Sequence, residues 1–204
     1  DAGHGAFIML PEGVARLFMP GPFAEGPWSE HYEPAESPVA NPLHPEHSSN
    51  PAVRAFTTEY DVLGNPDAFP IVCTTYRLTE HHTAGGMTRT LSHLAELQPE
   101  LFAEISPELA SEIGASNGAM ITVATPRGEI QARALVTPRI RPMTIDGRTL
   151  HQVGLPYHFG GPGLVTGDVV NDLVAISQEP NVRIMESKAL VCTIRLSTPN
   201  SQLP

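Results

Sequence analysis

The sequence predicts a mainly β protein with short helices: a small closed barrel with helices at its ends, preceded by an extended proline-rich arm. Three observations lead there. Short apolar, β-rich runs recur from residue 69 onward, separated by turn-forming residues. The helical patterns between them are too few for the regular βαβ alternation of a doubly wound sheet. Roughly half of the 21 prolines crowd into the first seventy residues, where a fixed φ and a missing N–H exclude long helices and central strands. Residues 1–68 are read as the arm and 69–204 as the barrel domain.

In chain order, the arm has room for a short strand at 6–10 and a turn of helix in PEGVARLF. Phe23, Trp28 and Tyr32 are its candidate anchors to a neighbouring surface. His44 and His47, in HPEH, have metal-like spacing, but a proline-rich loop without a cysteine partner reads as two solvated histidines. Residues 53–60 are strand-like, and GNPDAFP is a turn feeding the run at 69–76. Met87, Leu91, Leu94 and Leu97 stand at helical spacing, predicting a helix over 87–97 closed by Pro99. A short strand follows at 102–105. Ser106-Pro107 opens a second helix, with Ser as N-cap and Pro in the first turn, and Gly114 ends it in a left-handed cap. MITVAT and EIQARALV form a hairpin across PRG, with Asn117-Gly118 as the turn ahead of it. A second hairpin turns at Asp146-Gly147 and leads into LHQVGLP. Residues 154–168 read as irregular, 169–176 as a short helix, and 189–195 as the last strand.

The chain has 204 residues, 41% of them hydrophobic, and a formal net charge of −10. That length holds one domain with a core, or a domain plus an arm. The acidic balance argues against nucleic acid or an anionic membrane surface as the partner. No apolar run approaches the roughly 20 residues that span a bilayer, so direct membrane insertion is not expected. The opening DAGHGAF, with neither initiator Met nor basic n-region, suggests a processed product or a piece of a longer chain. Cys73 and Cys192 sit in apolar runs and read as buried thiols.

The densest chemistry lies in residues 71–89, IVCTTYRLTEHHTAGGMTR. A strand ends in a polar loop, two glycines follow, and a helical pattern begins. Strand, glycine-rich loop and helix start are a plan for holding an anion, because glycine lets the backbone approach and amide N–H groups point outward. Arg77, at the strand end, adds a bidentate phosphate donor.

From 69 to 196 the sequence resembles the C-terminal dinucleotide-binding domain of molybdenum- or tungsten-dependent formate dehydrogenases, within the dimethyl-sulfoxide-reductase superfamily. The stretches that carry the resemblance are TTYRLTEHHTAGGMTR, the segment from LQPELF to GLPYHFG, GDVVNDL, and EPNVRIMESKALVCTIR, in the family's order and spacing. The NPLHP stretch of the arm resembles the segment ahead of this domain in those enzymes. The resemblance implies a double-psi β-barrel. It also implies the bis-molybdopterin guanine dinucleotide cofactor, with Mo or W held between its two dinucleotides.

Carried over by position, Arg77, Thr79, Glu80, His81 and Thr83 resemble the pterin- and phosphate-contacting loop. Tyr157 and His158, in GLPYH, resemble a second contacting loop, with His151 beside the site. Asn171 resembles an asparagine that hydrogen-bonds the pterin or nucleotide, and Lys188 a lysine that approaches it. These residue types suit the ligand: a pterin edge and a pyrophosphate present acceptors, and Arg, Lys and Thr are donors. Two positions depart from the family's pattern. His82-Thr83 stand where an aromatic residue and a second His are common, and Ala119 stands where the NGD turn has its acid.

The family's metal ligand, its catalytic histidine and arginine, and its four-cysteine iron–sulfur motif have no counterpart here. The resemblance therefore implies a chain that is not catalytic on its own, with no catalytic or metal-ligating residue. It would complete a formate dehydrogenase catalytic subunit, with the iron–sulfur cluster only in the remainder of the enzyme. Its expected partners are that remainder and an iron–sulfur electron-transfer subunit, with formate and CO2 as substrates of the assembly, in anaerobic respiration. Likeness to respiratory forms leans the location toward the periplasm rather than the cytoplasm. Two other readings stand beside this one: another Mo- or W-dependent oxidoreductase of the superfamily, or a non-redox double-psi barrel serving as a binding or assembly module.

Overall fold

The computed structural model describes residues 34–40, 58–60, 62–178 and 184–198. The arm's candidate strand at 6–10, its aromatic anchors and the HPEH histidines lie outside the described residues. Of the run at 53–60, only 58–60 are described, and they form a turn.

Six strands close a barrel in the order β1-β7-β2-β4-β3-β8. They are β1 (Ile71–Tyr76), β2 (Phe102–Ile105), β3 (Met120–Thr125), β4 (Gly128–Val136), β7 (Gln152–Pro156) and β8 (Ala189–Leu196). A separate small hairpin pairs β5 (Met143–Ile145) with β6 (Arg148–Leu150). The ladder mixes directions: β1 runs parallel to β7 and β2 parallel to β4, while β1–β8, β2–β7, β3–β4 and β3–β8 are antiparallel. This closed barrel with short helices agrees with the fold expected from the sequence.

Period-two patterning fills the interior. Cys73, Ala103, Ile105, Ile121, Val123, Ile130, Ala132, Val153, Leu155 and Cys192 are all buried, and the two cysteines are free thiols, as expected. Each fully buried aliphatic side chain contributes about 1.5–3 kcal/mol. The parallel pair β1–β7 depends on Gly154, because a Cβ there would lie 2.7 Å from the Tyr76 ring.

Local chemistry fixes the joints. Ser106 Oγ accepts the Leu109 N–H at 3.1 Å, Pro107 occupies the first turn of α2 (Pro107–Glu112), and Gly114 follows at φ 68°. Asp146 and Gly147, at φ 49° and 75°, make the two-residue turn between β5 and β6.

Three expectations need correcting. The helix expected over 87–97 is broken into a 3-10 turn at Thr88–Thr90 and a short α1 (Ser92–Leu97), with Leu91 extended between them. Thr90 Oγ1 donates to the Met87 carbonyl at 3.0 Å, a local bond that competes with helical ones. The apolar stripe that suggested the helix also stays largely uncovered, with Met87, Leu91 and Leu97 exposed. Similarly, 169–176 contains a 3-10 turn at Val170–Leu173 and then extends. The irregular stretch from 154 begins instead as strand, since β7 runs to Pro156.

Candidate functional site

Parallel pairing carries two chemically active residues to one end of the barrel. Tyr76 pairs with Pro156 at the last step of β1–β7, and the Tyr157 N–H donates to the Tyr76 carbonyl at 3.2 Å. Arg77 and Tyr157 therefore leave their strands side by side. The Arg77 guanidinium carbon stands 4.5 Å from the centre of the Tyr157 ring, and Lys188 Nζ lies 6.0 Å from that centre. Tyr157 Oη donates to the Ser187 carbonyl at 3.3 Å, which fixes the ring beside the segment leading into β8. Desolvation in this wall, and then the Arg77 charge, push the Lys188 amine below its ordinary range.

This stack borders a groove of about 410 Å³ whose lining includes Arg77, Tyr157 and Asn171, with Val174, Ile176 and Met185 supplying apolar wall. Among the described residues, Arg77 makes no hydrogen bond or ion pair, so its five N–H donors are available. A second cavity, of about 500 Å³, also borders Arg77, together with Thr79 and Glu80. Its floor is a buried carboxylate. Glu104 accepts Arg139 Nε at 2.7 Å and Nη2 at 2.6 Å, while Tyr76 Oη donates to it at 3.0 Å. Burial first, and Glu104 second, drive the Tyr76 phenol well above its usual range.

His81 and His158 stand behind the loop rather than in the groove. Both are buried, with ring centres 5.5 Å apart. His81 shares Nδ1 with Thr88 Oγ1 at 3.1 Å and Nε2 with the Gln98 carbonyl at 3.4 Å. His158 Nε2 accepts the Leu78 N–H at 2.5 Å. Desolvation, then the neighbouring His81 and Arg77 charges, lower the His158 pKa to about 4. Gly85, at φ 79°, lies so close that a Cβ would come within 2.6 Å of the His158 carbonyl oxygen. The two histidines thus lock the loop that presents Arg77.

Thr83 is exposed on that loop at φ 47°, a left-handed conformation uncommon for a β-branched residue. His151 does not join the cluster. Its Nε2 pairs with Glu112 Oε1 at 3.0 Å, and the length of β7 separates it from Tyr157. Six residue steps separate the two, roughly 20 Å at strand rise. Sequence reading missed Glu104, Arg139 and Tyr76. The one available signal was a carboxylate inside the apolar run of β2.

The donors present suit an anionic heterocyclic ligand. A planar Arg fork and a Lys flank a flat aromatic face, an exposed Asn lines the same groove, and no ion pair in the described structure quenches Arg77. Among the described residues no group of three or more His, Cys, Asp or Glu side chains is placed to hold a metal.

Comparison with known proteins bears on this geometry. The profile of the family described as "Molydopterin dinucleotide binding domain" matches residues 71–190. The chain belongs to this family of molybdopterin dinucleotide-binding domains. It is 42% identical over 195 residues to the formate dehydrogenase-O major subunit of Escherichia coli K12, covering 95% of this chain and 19% of that protein. It is 43% identical over 192 residues to the nitrate-inducible formate dehydrogenase major subunit of the same organism, covering 93% of this chain and 19% of the relative. Against the formate dehydrogenase 2 subunit alpha (cytochrome c-553) of Nitratidesulfovibrio vulgaris, identity is 41% over 197 residues, covering 96% of this chain and 19% of that one. The chain thus spans about a fifth of the length of these relatives. Among solved structures, acetylene hydratase from Pelobacter acetylenicus superposes with a TM-score of 0.53 at 12% identity, covering 82% of this chain and 21% of that one, a likeness of fold.

Proposed function

We propose that this domain completes the cofactor site of a formate dehydrogenase catalytic subunit, which oxidises formate to CO2 or runs the reverse. The observation that carries the reading is the Arg77–Tyr157–Lys188 stack beside the groove, in a domain whose sequence follows formate dehydrogenase major subunits over nearly its whole length. The ligand is a pyranopterin guanine dinucleotide, one of two that hold Mo or W; when bound, it supplies the metal centre at which redox chemistry occurs. Arg77 and Lys188 pair with its phosphates. Tyr157 offers a flat face, and Asn171 offers a donor and an acceptor to a ring edge. Thr79, Glu80 and Thr83 border the approach, while His81 and His158 hold the loop from behind. The remainder of the catalytic subunit contributes the metal ligand and an iron–sulfur cluster, and a separate iron–sulfur subunit takes the electrons. In this arrangement 69–204 form the binding domain and residues 1–68 an arm ahead of it, whose described segment at Glu36 is seated on the barrel through Arg127 and Val191 and whose remainder packs on the rest of the subunit.

The test uses the native assembly that contains this chain. Acid hydrolysis should release GMP, and elemental mass spectrometry should find Mo or W at roughly one metal per two GMP. In the same assembly Arg77→Ala should lower GMP retention by about 10- to 100-fold in affinity, as expected for losing a charge-assisted contact. An intact assembly with neither GMP nor metal would overturn the cofactor reading and leave a binding module. Metal and GMP without formate turnover would retain the cofactor and remove formate.

A further inference from the structure

We propose that Glu36, in the segment ahead of the barrel, is a positioning residue for the groove wall that carries Asn171. The inference rests on the cofactor reading above. Glu36 is a carboxylate with only 2% of its side chain exposed, and four donors satisfy it. Arg127 Nη1 and the Gly64 N–H each reach Oε1 at 2.5 Å. Arg127 Nη2 and the Val191 N–H each reach Oε2 at 3.1 Å. A carboxylate met by a guanidinium fork and two backbone amides is held in one orientation.

Arg127 passes that constraint onward. It sits in the turn between β3 and β4, and its Nε and Nη2 donate to the Leu173 carbonyl at 2.8 and 2.6 Å. Thr125 Oγ1 donates to the same oxygen at 3.3 Å. Leu173 ends the 3-10 turn that begins at Val170, so the clamped carbonyl lies two residues from Asn171. The next residues, Val174 and Ala175, have two sides. They line the groove beside Arg77 and Tyr157, and they also line the crevice that receives Ala35 and Glu36. The wall is therefore one strand of backbone thick, with the dinucleotide groove in front and the Glu36 segment behind. Glu36 touches no ligand in this arrangement; it acts through Arg127 and Leu173.

The experiment compares Glu36→Gln with wild type in the full-length catalytic subunit. Two readouts are taken: GMP released per polypeptide, and hydrogen exchange of backbone amides. Expected are a fall in GMP to less than about a third, and exchange at 171–176 faster by about tenfold or more, with β2, β4 and β7 unchanged. Asn171→Ala should lower GMP in the wild-type background and add little to Glu36→Gln, because both disable one wall. If Glu36→Gln does not fold, Glu36→Asp is measured instead. It keeps the charge but is too short to reach all four donors, and the same local exchange signature is expected at smaller amplitude. Unchanged exchange at 171–176, acceleration spread evenly over the barrel, or strictly additive GMP losses would overturn the proposal. A wild-type subunit without GMP defeats the cofactor reading alone, since the exchange readout still decides whether Glu36 fixes the wall.

Discussion

His158 occupies the barrel end with Nε2 accepting the Leu78 N–H, a bond that exists only while that nitrogen is unprotonated. The folded pKa is lowered to about 4, against about 6.5 in an unfolded chain. Between those values the unfolded chain binds a proton that the folded one refuses. Stability is then fully present above about pH 6.5 and falls as the pH drops toward 4. His158→Gln keeps an acceptor near the Leu78 amide without titrating. Denaturant melts across this range should show wild type losing more stability than the variant, with the difference growing below pH 6.5. Parallel curves would mean that His158 does not set the acid limit of the loop.

At the scale of elements, the 3-10 turn at Thr88–Thr90 and the loop after β7 are fitted to each other with little slack. A Cβ on Gly163 would meet the Arg89 side chain at 2.7 Å, while the Leu164 N–H donates to the Arg89 carbonyl at 2.8 Å. Two glycines with similar φ measure the consequence. Gly118, at 83°, has open space where a Cβ would stand, so Gly118→Ala should cost about 1 kcal/mol from the left-handed backbone alone. Gly85, at 79°, faces the His158 carbonyl, so Gly85→Ala should cost about 2–3 kcal/mol and weaken GMP retention as well. Thermal melts and GMP assay check both. Legibility in the sequence divides along the same line. Ser106-Pro107, Gly114 and Asp146-Gly147 were readable because a cap or tight turn is built from neighbours in the chain. Arg77 was readable because it ends an apolar run. The helix expected over 87–97 was not, since spacing reveals a stripe but not whether anything covers it. The Glu104–Arg139 and Glu36–Arg127 pairs join residues 35 and 91 positions apart. Only tertiary packing brings such partners together, and no local pattern encodes them.

At the scale of the molecule, closure depends on β8, which pairs with β1 on one side and β3 on the other. Ile194 is buried in that strand opposite Val123. A proline there clashes within a central strand and should cost about 3 kcal/mol or more. In the full-length subunit, Ile194→Pro should therefore expose the domain to limited proteolysis and abolish GMP retention. Retained GMP in that variant would mean that the groove forms without the seam.

The seam also sets an order of events during protein synthesis. β1 emerges early and β8 late, so the nascent domain must wait with the β1 and β3 edges unpaired until 189–196 clear the ribosome. Arg77 follows the early strand and Lys188 precedes the late one. The pair that flanks the Tyr157 ring does not exist on an unfinished polypeptide, and a ligand that needs both can be loaded only after translation has passed the last strand.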